Sequence, residues 1–347
     1  MSLFVDIKKR LGDFTLDVQF ETDGGVLGIL GASGCGKSMT LKCIAGIEKP
    51  DSGRIVLDGV TLFDAQKGID LPVQQRRVGY LFQSYALFPN MTVGQNILCG
   101  LRGEKDKAKR EERLKGLLAL LQLEDVRDHR PHQLSGGQAQ RTALARILAS
   151  QPKLLMLDEP FSALDSHLRI QLQWQMRSLL KSYGHDVLLV THSRDEAYHL
   201  SSSIAVMDEG RMMGVKRTKE MFADPGSVCA ARITGCKNIV PAHKTGVYEV
   251  EIPDWGIRLQ TAQPVSEGLE AIGIRAHYFC AEEKQNGFSI VFSEDMEEPF
   301  EWIVAFRYAG QKAGSPDVWW RVSKEGRTAE FPEKLGVAPE DILLLYK

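Results

Sequence analysis

A chain of 347 residues with a formal net charge of -2 has room for one large domain and a smaller one, and it offers no broad basic face for nucleic acid. Its 43% hydrophobic and 25% charged content excludes a disordered or fibrous protein. No stretch of about 18 apolar residues is present and the opening residues, MSLFVDIKKRLGDF, lack an apolar signal core, so the expectation is a cytoplasmic protein that does not itself cross a membrane. Six scattered cysteines (35, 43, 99, 229, 236 and 280) show no CxxC spacing and read as free thiols.

In chain order, short apolar runs stand at 26–30, 78–82, 154–157, 187–190 and 204–207. Continuous runs of that length fit strands buried on both faces, as in a parallel sheet covered by helices. Helical stretches at 36–47, 105–123, 135–150 and 166–183 lie between them, which spells an α/β domain with right-handed crossovers. From about residue 236 the texture changes. Strand-like segments at 247–252, 288–292, 302–308 and 318–322 are separated by turn signals such as Asn286-Gly287 and Gly314-Ser315-Pro316, the grammar of a small all-β domain. The expected division is 1–235 and 236–347.

Three segments carry chemistry. Gly31-Ala32-Ser33-Gly34-Cys35-Gly36-Lys37-Ser38, with Met39 following, is a complete G-x-x-x-x-G-K-[ST] between an apolar strand and a helix. Glycines let backbone N–H groups curl around phosphates, and the helix N-terminus adds partial positive charge. Lys37 can reach the β- and γ-phosphates of ATP, and the Ser38 hydroxyl can ligate Mg2+. Cys35 reads as a space-filler. The strand 154–157 ends in Asp158-Glu159, placing one acid for the Mg2+ shell and the next as candidate general base. Leu134-Ser135-Gly136-Gly137-Gln138 opens a helix and forms a second anion-binding turn, odd in a simple kinase but sensible if it serves a nucleotide held by another copy.

Together these segments resemble the ABC ATPases: LSGGQ is similar to their signature and LLMLDEP to their extended Walker B segment. Gln83 resembles the Q-loop glutamine, Ser162-Ala-Leu-Asp165 the D-loop and Thr191-His192 the switch histidine. The resemblance covers roughly residues 3–235. It implies a P-loop ABC cassette with a helical subdomain, followed by a small all-β, oligonucleotide-fold-like domain. It also implies a head-to-tail homodimer that buries each ATP between one phosphate loop and the partner's Ser135–Gly137, with Asp165 at the nucleotide. Gln83 would ligate Mg2+ or the attacking water. His192 would hold the γ-phosphate for Glu159.

Where relatives stack adenine on an aromatic residue, this chain has Leu11-Gly12; Phe14 is the substitute candidate, or core. The apolar turn 84–91 is expected to receive a membrane subunit. DNA-repair relatives need a long coiled-coil insertion, ribosomal relatives usually carry two cassettes, and a degenerate regulator would not keep Lys37, Asp158, Glu159 and His192. The expectation is the ATPase of an importer on the cytoplasmic membrane face, fed through a permease by an external solute-binding protein. Segment 64–83 and Thr234–Ile239 resemble molybdate-importer ATPases, which makes molybdate the expected solute, with tungstate or sulfate next and iron, sugar or polyamine as alternatives. Arg275, His277 and Lys237 are candidate oxyanion contacts in a regulatory second domain, alongside a solvated-surface reading.

Overall fold

The structure is a computed structural model that describes residues 2–22, 24–162, 166–283, 285–326 and 331–346. It divides into two compact units, Met1–Thr218 and Lys219–Lys347.

The first unit is built on one sheet of 11 strands. In chain order these are β1 (Leu3–Leu11), β2 (Phe14–Glu21), β3 (Val26–Leu30), β4 (Ser52–Leu57), β5 (Val60–Asp64), β6 (Ile69–Asp70), β7 (Val78–Leu81), β8 (Leu154–Asp158), β9 (Asp186–Thr191), β10 (Ser203–Asp208) and β11 (Arg211–Arg217). Their order across the sheet is β6-β5-β4-β1-β2-β11-β10-β3-β9-β8-β7. The half from β10 to β7 is parallel, with Leu27 opposite Leu188 and Met156 opposite both Tyr80 and Leu188. The other half is an antiparallel run of β2, β1, β4, β5 and β6.

The helices are α1 (Lys37–Ala45), α2 (Val93–Gly100), α3 (Lys107–Leu120), α4 (Gly136–Ala149), α5 (Ser166–Tyr183) and α6 (Arg194–Leu200). Strand β8 shows why its apolar run is unbroken. Leu154 and Met156 join the core under α1, while Leu155 and Leu157 join the core under α4 and α5. All four are fully buried, and each contributes roughly 1.5–3 kcal/mol of burial energy. Helix α2 is formed from an unpromising sequence by a capping box, Thr92 with Gln95, and by burial of Val93 and Ile97.

The second unit holds the helix Thr218–Ala223 from Lys219 on, the helix Val228–Ile233 and three small antiparallel sheets. Strands Asn238–Pro241, Leu269–Ile274 and Ile342–Tyr346 form one, and the largest aligns Val318–Ser323, Glu301–Tyr308, Phe288–Glu297 and Lys334–Leu335. A core including Trp255, Phe279, Phe306 and Trp320 fills this unit.

Candidate functional site

The carboxyl ends of four parallel strands gather the site. Strand β3 runs into the phosphate loop, β7 into Gln83, β8 ends at Asp158, and β9 into His192. Ligands of parallel α/β sheets bind at that edge, because loops there leave backbone donors and helix N-termini facing outward.

The loop is shaped by its glycines at two points. Gly36 precedes α1 with φ 107°, and a side chain there would meet Leu16, Met207 and Phe14. At Gly31 an added carbon would sit 2.3 Å from the Met207 carbonyl. Ala32, Ser33 and Gly34 are exposed, whereas Lys37 is buried and donates to the carbonyls of Gly31 (2.9 Å) and Ala32 (2.7 Å). Its ammonium is thereby held inside the loop on bonds that a phosphate can replace. Cys35 is buried beside it, and burial pushes its thiol above the ordinary range, as suits a packing residue. The ring of Phe14 lies against Gly36 and lines a cavity of about 790 Å³ that reaches Ala32–Cys35 and Arg211. Leu11 is exposed.

The other end of α1 is fixed by Arg76, whose guanidinium is fully buried. It donates to Cys43 and Ile44 carbonyls (2.9 Å each) and to Leu71 O, and pairs with Asp70 at 2.8 Å. A cation on the last carbonyls of a helix also suits its dipole.

Asp158 accepts two short bonds, from Ser38 Oγ to Oδ1 and from Tyr80 Oη to Oδ2, both 2.7 Å. Burial, then the carboxylate beside it, holds the Tyr80 phenol far above its ordinary value. Glu159 follows in the left-handed region, φ 45°, with its N–H bonded to Val190 O. A non-glycine residue held there is strained, and such residues concentrate at functional sites. The turn aims the carboxylate at His192, whose Nδ1 lies 3.2 Å from Glu159 Oε1. Ser162 Oγ donates to Glu159 O and accepts from Gln83 Nε2 at 3.2 Å, so the glutamine is tied into the same cluster.

Behind His192, Thr191 Oγ1 donates to the buried Glu196 carboxylate (2.6 Å) and accepts from Ser193 N, fixing the turn that carries the imidazole. Burial raises the Glu196 pKa against the opposing Thr191 bond.

Lys37, Ser38, Asp158, Glu159, His192 and Gln83 are thus brought to one edge. Ser135–Gln138 are not joined to them. Ser135 caps α4 and exchanges bonds with Gln138 in a capping box, leaving Ser135 and Gly136 exposed. Asp165 lies outside the described residues. The loop after Gln83 is pinned to α4, since Arg146 donates to Ala86 and Tyr85 carbonyls and stacks over Phe88 at 5.1 Å. Tyr80, Arg76 and Glu196 were given no role by sequence reasoning, and Thr191 was named only beside His192. Each acts through a partner that spacing alone does not reveal.

In the second unit Arg275 is neither a solvated surface residue nor a free oxyanion contact. Its buried guanidinium donates to Thr234 O (2.9 Å) and Phe222 O (2.5 Å), so the residue is structural. Lys237 and His277 are exposed.

Two O–H donors on one buried carboxylate, a lysine inside a glycine loop and a Glu–His pair define a P-loop nucleotide hydrolase. The ABC transporter family matches residues 15–162. A probable sulfate/thiosulfate import ATP-binding protein, CysA, of Chlorella vulgaris is 42% identical over 242 residues, covering 68% of this chain and all of that protein. An Fe(3+) ions import ATP-binding protein, FbpC, of Haemophilus influenzae is 40% identical, covering 70% of this chain and 68% of the other. The dimeric post-hydrolysis structure of the ATP-binding cassette MJ0796 bound to ADP and Pi superposes with a TM-score of 0.53 at 28% identity, over 63% of this chain and 99% of that one. The chain belongs to the ABC transporter family, as an ATP-binding subunit of the import type, an ATPase coupled to transport.

Proposed function

We propose that this subunit hydrolyses ATP at sites shared between two copies of itself, on the cytoplasmic face of a membrane. The 3.2 Å approach of His192 to Glu159, beside Ser38 and Asp158, carries the reading. Glu159 takes the proton from the water that attacks the γ-phosphate. His192 orients that carboxylate and donates to the γ-phosphate. Lys37 neutralises the β- and γ-phosphates, and the loop N–H groups hold them. Hard oxygen donors at Ser38, Asp158 and Gln83 fit Mg2+, which binds few protein ligands and keeps several waters; when bound it would neutralise phosphate charge. Phe14 and the cavity beside it suit the nucleobase.

Ser135–Gln138 and Met39 complete the nucleotide contacts assigned from the sequence, the former from the opposite copy. The exposed signature turn, remote in bonding from its own phosphate loop, supports that pairing, as does the dimeric MJ0796 cassette. Asp165 would act at the same junction. No helix among the described residues is long and apolar enough to cross a membrane. Like the import ATP-binding proteins it resembles, the subunit would work with membrane permease subunits, for which the loop around Phe88 is the docking surface. An external binding protein would deliver the solute, and the second unit would regulate.

For the solute we favour an oxyanion, molybdate first and sulfate next. Support comes from the residues around Asp64–Gln83 and from the sulfate/thiosulfate likeness, while the iron relative keeps a wider range in view. Deleting the gene and growing cells on limiting molybdate or sulfate tests it: unimpaired molybdoenzyme activity removes molybdate. For the ATPase itself, Glu159→Gln should bind ATP as the parent does and lose at least about a hundredfold in turnover. Turnover at the parent rate would remove Glu159 from its role.

A further inference from the structure

We propose that Tyr80 is a positioning residue for the Mg2+ side of the site, its hydroxyl holding the Asp158 carboxylate so that Oδ1 stays turned toward Ser38. The inference rests on the reading of Ser38 and Asp158 as the Mg2+ side. Asp158 is 7% exposed, and each of its oxygens accepts one 2.7 Å bond from a different element, α1 and β7. An O–H···O⁻ bond of that length is of the strong, charge-assisted kind. The terminal torsion of an aspartate is broad and twofold, so one bond alone leaves the carboxylate plane free to turn. A second bond from the far side fixes the plane.

The fold sets where that second donor stands. Parallel pairing puts Tyr80 opposite Met156, one strand over and two residues before Asp158. The Tyr80 ring packs edge-on against Phe82, centroids 4.3 Å apart at 88°, which fixes the line along which the hydroxyl points. That line ends on Oδ2. Tyr80→Phe keeps the ring and its packing and removes only the donor, leaving a buried carboxylate oxygen unpaired. The carboxylate would then turn to find other partners, and its grip on the Mg2+ shell would loosen while the phosphate loop stayed intact.

The test is an equilibrium one on the full chain. The affinity for the non-hydrolysable β,γ-imido analogue of ATP is measured in EDTA and in saturating Mg2+, and the ratio gives the coupling between metal and nucleotide. For Tyr80→Phe the EDTA affinity should stay within about twofold of the parent, while the gain from Mg2+ falls about tenfold, as expected for losing one bond to a charged group. Asp158→Asn should lower the same gain, and adding Tyr80→Phe to it should change little further. An unchanged Mg2+ gain in Tyr80→Phe beside a lowered gain in Asp158→Asn overturns the role of Tyr80 alone. An equal fall in EDTA and in Mg2+ makes Tyr80 a strand tie and also overturns it. If Asp158→Asn leaves the gain intact, the metal reading fails and the inference falls with it.

Discussion

Two buried cations, one in each unit, show what separates a working site from a structural one. Lys37 sits inside a loop of exposed backbone, on two carbonyls of that same loop, with acids and a histidine gathered at neighbouring strand ends. Arg275 is closed in by the ends of two helices, its donors on the Phe222 carbonyl near the end of Thr218–Ala223 and on the Thr234 carbonyl just after Val228–Ile233. Arg76 belongs with Arg275 although it lies in the first unit: it serves the ATP site only by finishing the helix that Lys37 begins. A buried positive charge is therefore no marker of a ligand. What marks one is a charge set in a loop of exposed backbone, with acids and a histidine beside it, where a ligand can reach it.

Substitution separates the two kinds of buried cation. Arg76→Ala strips partners from three carbonyls and from Asp70, and should lower the stability of the first unit by about 3 kcal/mol in denaturant unfolding. Arg275→Ala should cost about 2 kcal/mol, with ATP affinity unchanged and no altered response to added oxyanion. An oxyanion effect lost with Arg275 would return it to the ligand side. Lys37→Ala should behave oppositely, weakening ATP binding about a hundredfold with less than about 1 kcal/mol of unfolding cost, because only loop carbonyls lose a partner and water can replace it.

Thr191→Val sharpens the contrast at smaller scale. It removes the bond to Glu196 behind His192, and turnover should fall about fivefold while ATP affinity holds, since the imidazole loses its backing and not its chemistry. Equal losses in both quantities would show that Thr191 only supports the fold.

The parallel half of the sheet was legible because burial on both faces writes an unbroken apolar run, and the runs at 26–30 and 187–190 fall within β3 and β9. The antiparallel half was not read. In β1 only Leu3, Val5 and Ile7 are buried, and Phe4 and Asp6 between them depend on pairing with β2 and β4 for their meaning. Helix α2 carries Gly94 in its first turn and Gly100 at its end, and packing against α4 decides it. The phosphate loop and the Asp158-Glu159 pair were legible as motifs, because phosphate chemistry fixes residue type and spacing together. Tyr80 looked like one more apolar strand residue, and its partner stands on the neighbouring strand. Arg275 misled because sequence shows its charge but not the two carbonyls that absorb it.

Whether hydrolysis is the work of two copies shows in the mass of the Glu159→Gln chain in solution. Sedimentation with ATP and Mg2+ should give twice the 38.7 kDa of one chain, and one chain's mass without ATP. Adding Ser135→Arg, which fills the signature turn, should return the ATP-loaded protein to a single chain. A monomer in ATP, or a dimer indifferent to both ATP and Ser135, would contradict the account.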